Sequence, residues 1–136
     1  MSYLLDSNAC IALINGYPTA VRLRFDDATN RGEQMCLSSI SLFELWYGVF
    51  KSTRTDFNAL RLNSFLKRAI NLLTFEDDDA KTAGELRAGL QRIGKPIGAY
   101  DLLIAAQALN RGLTLVTANI SEFARVKTLV WEDWSR

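Results

Sequence analysis

Tyr3-Leu4-Leu5-Asp6-Ser7-Asn8 is a short apolar run that ends in three cap-forming residues, and from Ala9 to Ile14 almost every residue is again apolar. A run this short suits a strand, and Asp, Ser or Asn ahead of a long apolar stretch is how a helix begins. Asn15-Gly16 then supplies the stop. The same unit recurs downstream: Met35-Cys36-Leu37 forms a second strand, closed by Ser38-Ser39. A helix follows over Ile40 to Phe50, with Ser41 as its N-cap. Asn71 to Phe75 is a third strand, and the acidic run Glu76-Asp77-Asp78-Asp79 stands before a helix from Ala80 to Ile93. Leu113 to Val116 is a fourth strand, Thr117 to Glu122 a loop or helix start, and Thr128 to Trp131 a short fifth strand.

Between these lie three further helical segments. Pro18 starts one that reaches about Asn30. Phe57, Leu60, Phe65, Leu66 and Ala69 fall near the 3.6-residue period of an amphipathic helix. After the turn Gly94-Lys95-Pro96-Ile97-Gly98, a very apolar helix runs from Ala99 to Asn110 and is ended by Arg111-Gly112. None of the strands alternates polar with apolar residues, so both faces of the sheet must be covered. The fold class is α/β, a three-layer domain with a parallel sheet flanked by helices. In such folds ligands gather outside the carboxyl ends of the strands, where Asp6, Ser38 and Thr117 stand.

At 136 residues the chain has the length of one domain, and residues 1–136 read as a single unit. Lys and Arg number 16 against 15 for Asp and Glu, so any site for a polyanion must be local. There is no histidine, which removes Ser-His-Asp and Cys-His catalysis and every His-containing zinc site. Cys10 and Cys36 are far apart and read as reduced core residues. No stretch approaches the length of a membrane helix and Met1 to Asn8 lacks a signal-peptide pattern, so no membrane partner and a cytoplasmic location are expected.

Four acids stand in apolar contexts: Asp6, Glu44, Asp101 and Glu122. Each has a structural role open to it. Asp6 caps the first helix, Glu44 completes a capping box with Ser41, Asp101 meets the positive end of its helix, and Glu122 faces solvent. Those separate roles do not explain why several acids collect at strand ends and helix starts along one edge. Converging carboxylates repel one another, and a divalent cation relieves the repulsion. All-oxygen ligands select hard ions such as Mg²⁺ or Mn²⁺. An ion so held polarises a phosphoryl oxygen and activates water, and phosphodiester hydrolysis follows as a reaction class that needs no histidine.

Tyr3 to Asn8, Ser41-Leu42-Phe43-Glu44-Leu45-Trp46-Tyr47-Gly48, Pro96 to Ala106 and Leu115 to Phe123 together resemble the PIN-domain ribonucleases of the VapC toxin type, in the right order and over nearly the whole chain. The resemblance implies a five-stranded parallel sheet and a Mg²⁺-dependent endoribonuclease acting on tRNA or another structured RNA through metal-activated water. It implies that Asp6, Glu44 and Asp101 bind metal, directly or through water. Ser7, Asn8 and Thr117 match neighbouring polar positions. The family places its fourth acid where this sequence has Asn119 or where it has Glu122, which makes Glu122 the fourth carboxylate here and Asn119 an auxiliary group. A homodimer and a VapB-type antitoxin that covers the acids and presents an Arg to them are also implied.

Local charge suits an RNA partner. Lys51 to Arg68 holds five basic residues (Lys51, Arg54, Arg61, Lys67, Arg68) against one acid, and Arg87, Arg92 and Lys95 form a second patch beside the Asp101 turn. A haloacid-dehalogenase-like phosphatase needs a second Asp where Asn8 stands, and a P-loop needs spacing and a hydroxyl that Gly94-Lys95-Pro96 lacks. The remaining rival is a catalytically silent PIN-like module that binds RNA or protein without cutting.

Overall fold

The computed structural model describes residues 1–68 and 70–136, so Ala69, assigned above to the end of a helix, lies outside the described residues. The elements in chain order are β1 (Ser2–Leu5), α1 (Ser7–Asn15), α2 (Thr19–Asn30), β2 (Gln34–Ser38), α3 (Ser39–Lys51), α4 (Thr55–Leu66), β3 (Ile70–Leu73), α5 (Asp77–Arg92), α6 (Ala99–Arg111), β4 (Thr114–Val116), α7 (Ile120–Phe123) and β5 (Trp131–Glu132). The five strands form one sheet in the order β3-β2-β1-β4-β5, and every pairing is parallel.

Strand alternation divides the core into two layers. Tyr3, Leu5, Met35, Leu37 and Val116 point to one face, where Leu13, Phe25, Leu45, Val49, Leu62 and Phe65 of α1 to α4 pack on them. Leu4, Cys36 and Leu115 point to the other and meet Leu90, Leu102, Ile104, Ala105, Ala108 and Phe123 of α5 to α7. Both cysteines are buried and reduced. No helix among the described residues is long and apolar enough to cross a membrane.

The chain winds outward from β1 through β2 to β3 and then returns to the opposite side of β1 with β4 and β5. The order therefore reverses between β1 and β4, which is where a crevice opens at the carboxyl ends of the strands. Leu5 pairs with both Leu37 and Val116, so the next residues, Asp6, Ser38 and Thr117, stand side by side along that edge.

Several boundaries differ from the sequence expectations. Helix α3 starts at Ser39, and its N-cap is Ser38, whose Oγ accepts from the Ile40 N–H at 3.1 Å. Ser41 lies inside the helix, fully buried, and caps nothing. The reason is geometric: β2 delivers the chain to the edge at Ser38, three residues before the position suggested by composition. Helix α5 begins at Asp77 rather than Ala80, because Glu76 and Asp79 form the capping box. Strand β3 lies at Ile70–Leu73 rather than Asn71 to Phe75, and β5 at Trp131–Glu132 rather than Thr128 to Trp131. These two edge strands extend only as far as their single neighbour pairs with them.

Candidate active site

Asp6 is the first residue beyond β1. Its backbone N–H donates to the Val116 carbonyl at 3.1 Å, which continues the ladder one step and fixes the side chain above the β1–β4 crevice. Its Oδ1 accepts from the Ala9 N–H at 2.8 Å, so the expected capping role is real. Capping uses one carboxylate oxygen and leaves Oδ2 for the site. The residue is only 7% exposed, and burial pushes its carboxyl above the usual range. Hydrogen bonding from Thr117 and from the Ala9 N–H opposes that rise, and the charge of Asp133 adds to it.

Glu44 lies on α3. With Ser41 removed from the cap, no capping box accounts for it. Burial raises its carboxyl, hydrogen bonding with Ser7 lowers it, and the charge of Asp6 raises it again. Ser7, the residue after Asp6, thus ties Glu44 to the β1 end of the edge.

Asp101 and Glu122 face each other across Gly98. Asn119 Nδ2 donates to Asp101 Oδ2 at 3.2 Å and to Glu122 Oε2 at 3.4 Å, so one amide group spans both carboxylates. The Gly98 N–H donates to Glu122 Oε1 at 3.2 Å. Burial first, then hydrogen bonding to Glu122 and the charges of Glu122, Glu44 and Asp6, push Asp101 up to about 7. Glu122 is held below its ordinary value, mainly by the hydrogen bond that Asp101 donates to it. Of the pair, Asp101 is therefore the acid that holds a proton more tightly. The Thr117 Oγ1 accepts from the Asn119 N–H at 3.0 Å and so positions that bridging amide.

The structure thus brings Asp6, Glu44, Asp101 and Glu122 into one electrostatic neighbourhood, with Ser7, Thr117 and Asn119 among them. Asn8, in the first turn of α1, is exposed and lines the cavity beside this edge. Among the described residues no three Asp, Glu, Cys or His side chains close into a group of metal-cage geometry. The donor set is nevertheless that of a hard divalent ion: four carboxylates, no sulfur, no imidazole, with Asp6, Glu44 and Asp101 all raised, by burial first and then by neighbouring carboxylates. Mg²⁺ needs no cage, because it keeps most of its waters and is held by one or two carboxylates plus a substrate phosphate. Space for it exists. A Cβ on Gly98 would stand 3.6 Å from Glu122 Oε2 and 3.7 Å from Asp101 Oδ2, so the glycine backbone lies against both acids and leaves the space beside them free of a side chain.

One neighbour was not anticipated. Asp133, one residue beyond β5, raises Asp6 through its charge, just as Asp6 itself stands one residue beyond β1. An acid directly after a strand was the available signal, hidden because β5 was expected to end at Trp131 and in fact includes Glu132. Of the expected RNA contacts, Lys51, Arg54, Arg87 and Lys95 are all exposed. Lys51 lies over the Tyr47 ring and Arg54 over Phe57. Arg61 is instead committed to structure, donating to the Ile14 carbonyl at 3.0 Å and to Asn15 Oδ1 at 2.7 Å.

An all-parallel sheet whose switch-point edge carries a desolvated acid cluster defines a class: an α/β protein with a carboxylate-lined site at the carboxyl ends of its strands. Comparison narrows it. The PIN domain family model matches residues 3–129. The tRNA(fMet)-specific endonuclease VapC of Shigella flexneri is 42% identical over 135 residues, 99% of each chain. Its namesake from Salmonella typhimurium is 40% identical over 134 residues, 98% of each. The crystal structure of VapBC2 from Rickettsia felis bound to a promoter DNA fragment superposes with a TM-score of 0.90 at 36% identity, covering 97% of this chain and 98% of that one. The chain belongs to the PIN domain family, in its VapC branch.

Proposed function

We propose that this protein is a metal-dependent endoribonuclease toxin that hydrolyses phosphodiester bonds of tRNA or another structured RNA at the Asp6–Glu44–Asp101–Glu122 edge. The observation that carries the reading is the charge balance of that edge, where three of four carboxylates are raised, by burial first and then by one another's charge, and where Asp101 and Glu122 receive N–H groups from Asn119 and Gly98 while the charge of Arg125 reaches Glu122 alone. Relatives named ribonuclease or tRNA(fMet)-specific endonuclease support it.

Asp6 and Asp101 would hold Mg²⁺ or Mn²⁺, with Glu44 and Glu122 acting directly or through water. Bound there, a divalent ion supplies Lewis-acid polarisation of a phosphoryl oxygen and a lowered pKa for water. The chain's own contribution is placement. Asp6 is fixed by the β1 ladder and its cap, Glu44 by α3, and Asp101 by the first turn of α6. Asp101 Oδ2 would bind the ion or orient a water beside it. Asn119 orients that oxygen.

A VapB-type antitoxin is the expected protein partner, since the structural relatives from Rickettsia felis and Salmonella typhimurium are VapBC assemblies. An antitoxin Arg would meet an unneutralised acid cluster. A homodimer is supported by the apolar face of α3, where Phe43, Tyr47 and Phe50 are 52%, 59% and 69% exposed. Of the alternatives, a silent module is disfavoured because all four carboxylates are present at the edge.

Incubating the protein with total tRNA and with a ribosomal RNA fragment, then mapping the new 5′ ends, tests the substrate. Cuts at one or two defined positions in tRNA are expected. Cuts confined to the ribosomal fragment would move the substrate class, and no cutting of either would favour the silent module.

A further inference from the structure

The end of α5 with the start of the following turn, and the segment after α7, border an open concavity of about 460 Å³ lined by Ile93, Lys95, Ala124, Arg125 and Lys127. Three of these five side chains are cations, none is an acid, and all three cations are exposed. None of the three forms an ion pair with a carboxylate among the described residues. In a chain whose net charge is only +1, positive charge this concentrated favours an anion locally.

The concavity is also built, and it is joined to the acids. Arg125 Nη1 donates to the Pro96 carbonyl at 2.6 Å, which straps the turn to the segment after α7 and fixes the guanidinium while leaving its other N–H groups free to donate. At its far end the same turn delivers Gly98, whose N–H holds Glu122. Lys95 and Gly98 are three residues apart, at most about 11 Å along an extended chain. Arg125 lies near enough to Glu122 for its charge to be felt there. A phosphodiester strand with one phosphate at the acids can therefore reach these cations within a few nucleotides.

We infer that this concavity holds the phosphodiester backbone of the RNA strand next to the cut, with Lys95, Arg125 and Lys127 as its phosphate contacts; the inference rests on the ribonuclease reading above. An extended polyanion fits better than a compact anion, because the cations come from two separate segments and open to solvent. Contacts of this kind position a strand and carry no sequence information.

The test uses the full chain carrying Lys95→Ala and Lys127→Ala together, exposed changes that leave the Arg125 strap intact. In an Asp6→Asn background, binding of single-stranded RNA is measured against salt concentration. The slope of log affinity against log salt should fall by about 1.4 for two lost contacts. In the active background the loss should fall on KM, with a rise of roughly tenfold at about 0.15 M salt, rather than on kcat. Arg22→Ala with Lys81→Ala, two exposed cations elsewhere, should change neither quantity. An unchanged slope and KM alongside Asp6-dependent cleavage would overturn the concavity's role and leave the ribonuclease reading standing. No RNA binding together with no Asp6-dependent cleavage would overturn both. Displacement of bound RNA by polyglutamate as readily as by unlabelled RNA would overturn it in favour of an acidic-peptide partner.

Discussion

Asp101→Asn should lower the rate of RNA cleavage by roughly 10³-fold or more at saturating substrate, while the melting temperature does not fall. The substitution keeps the shape of the side chain and an oxygen for the Asn119 amide to donate to. It removes a charge that burial and three neighbouring acids already penalise. Folding therefore loses no favourable ion pair. Chemistry loses a charged metal ligand. Initial rates with Mg²⁺ and thermal melts on the same preparation separate the two effects. A rate within tenfold of wild type would remove Asp101 from the reacting centre.

Asp79→Ala should have the opposite profile, with a large loss of stability and chemistry intact in whatever fraction remains folded. Asp79 is fully buried at the start of α5. Its Oδ2 accepts from the Glu76 N–H at 2.8 Å and from Arg111 Nη2 at 2.8 Å, and its Oδ1 from Asn110 Nδ2 at 2.8 Å. One carboxylate thereby clamps the beginning of α5 to the end of α6. Burial alone would raise its carboxyl, but Arg111, the Glu76 N–H and Asn110 outweigh burial and hold it at about 2. Truncation would strand the partly buried Arg111 without its partner, at a cost of roughly 3 kcal/mol, or about 10 °C in Tm for a chain of this size.

The sign of the pH dependence follows from the depressed value. The folded state holds Asp79 ionised to lower pH than the unfolded chain, whose Asp titrates near 3.9. Its contribution, roughly 2 kcal/mol by linkage, is complete above about pH 5 and disappears as pH falls through 4 towards 2. Urea titrations of wild type and Asp79→Ala should therefore differ most at neutral pH and converge in acid. A gap that stays constant from pH 7 to pH 2 would mean that the stabilisation does not come from the ionised carboxylate.

The central strands were legible because β1 and β2 are short apolar runs closed by cap-forming residues, and their burial on both faces demands the uniform hydrophobicity that composition displays. Asp6 and Thr117 could be placed at the edge for the same reason. The edge strands were less legible. Only two residues of β5 meet β4, and that length is set by a tertiary pairing which no local pattern encodes. The error at β5 is what hid Asp133. Ser41 misled because Ser-x-x-Glu is a capping box in isolation, whereas the end of β2 had already assigned the cap to Ser38. Arg61 counted towards a basic RNA patch until its guanidinium proved to be tied to the end of α1. Charge in a sequence is local only once its partners are known. The cations around Arg125 were partly missed because Lys95 is separated from Arg125 and Lys127 by the whole of α6 and β4.

Cleavage of total tRNA by wild type and by Asp6→Asn, purified side by side and assayed with Mg²⁺, with Mn²⁺ and with chelator, is the decisive comparison. Cutting at defined positions by the wild type alone, restored by either ion and abolished by chelator, is the predicted result. Equal cutting by both proteins, or wild-type cutting that persists in chelator, would contradict a carboxylate-held metal as the source of activity.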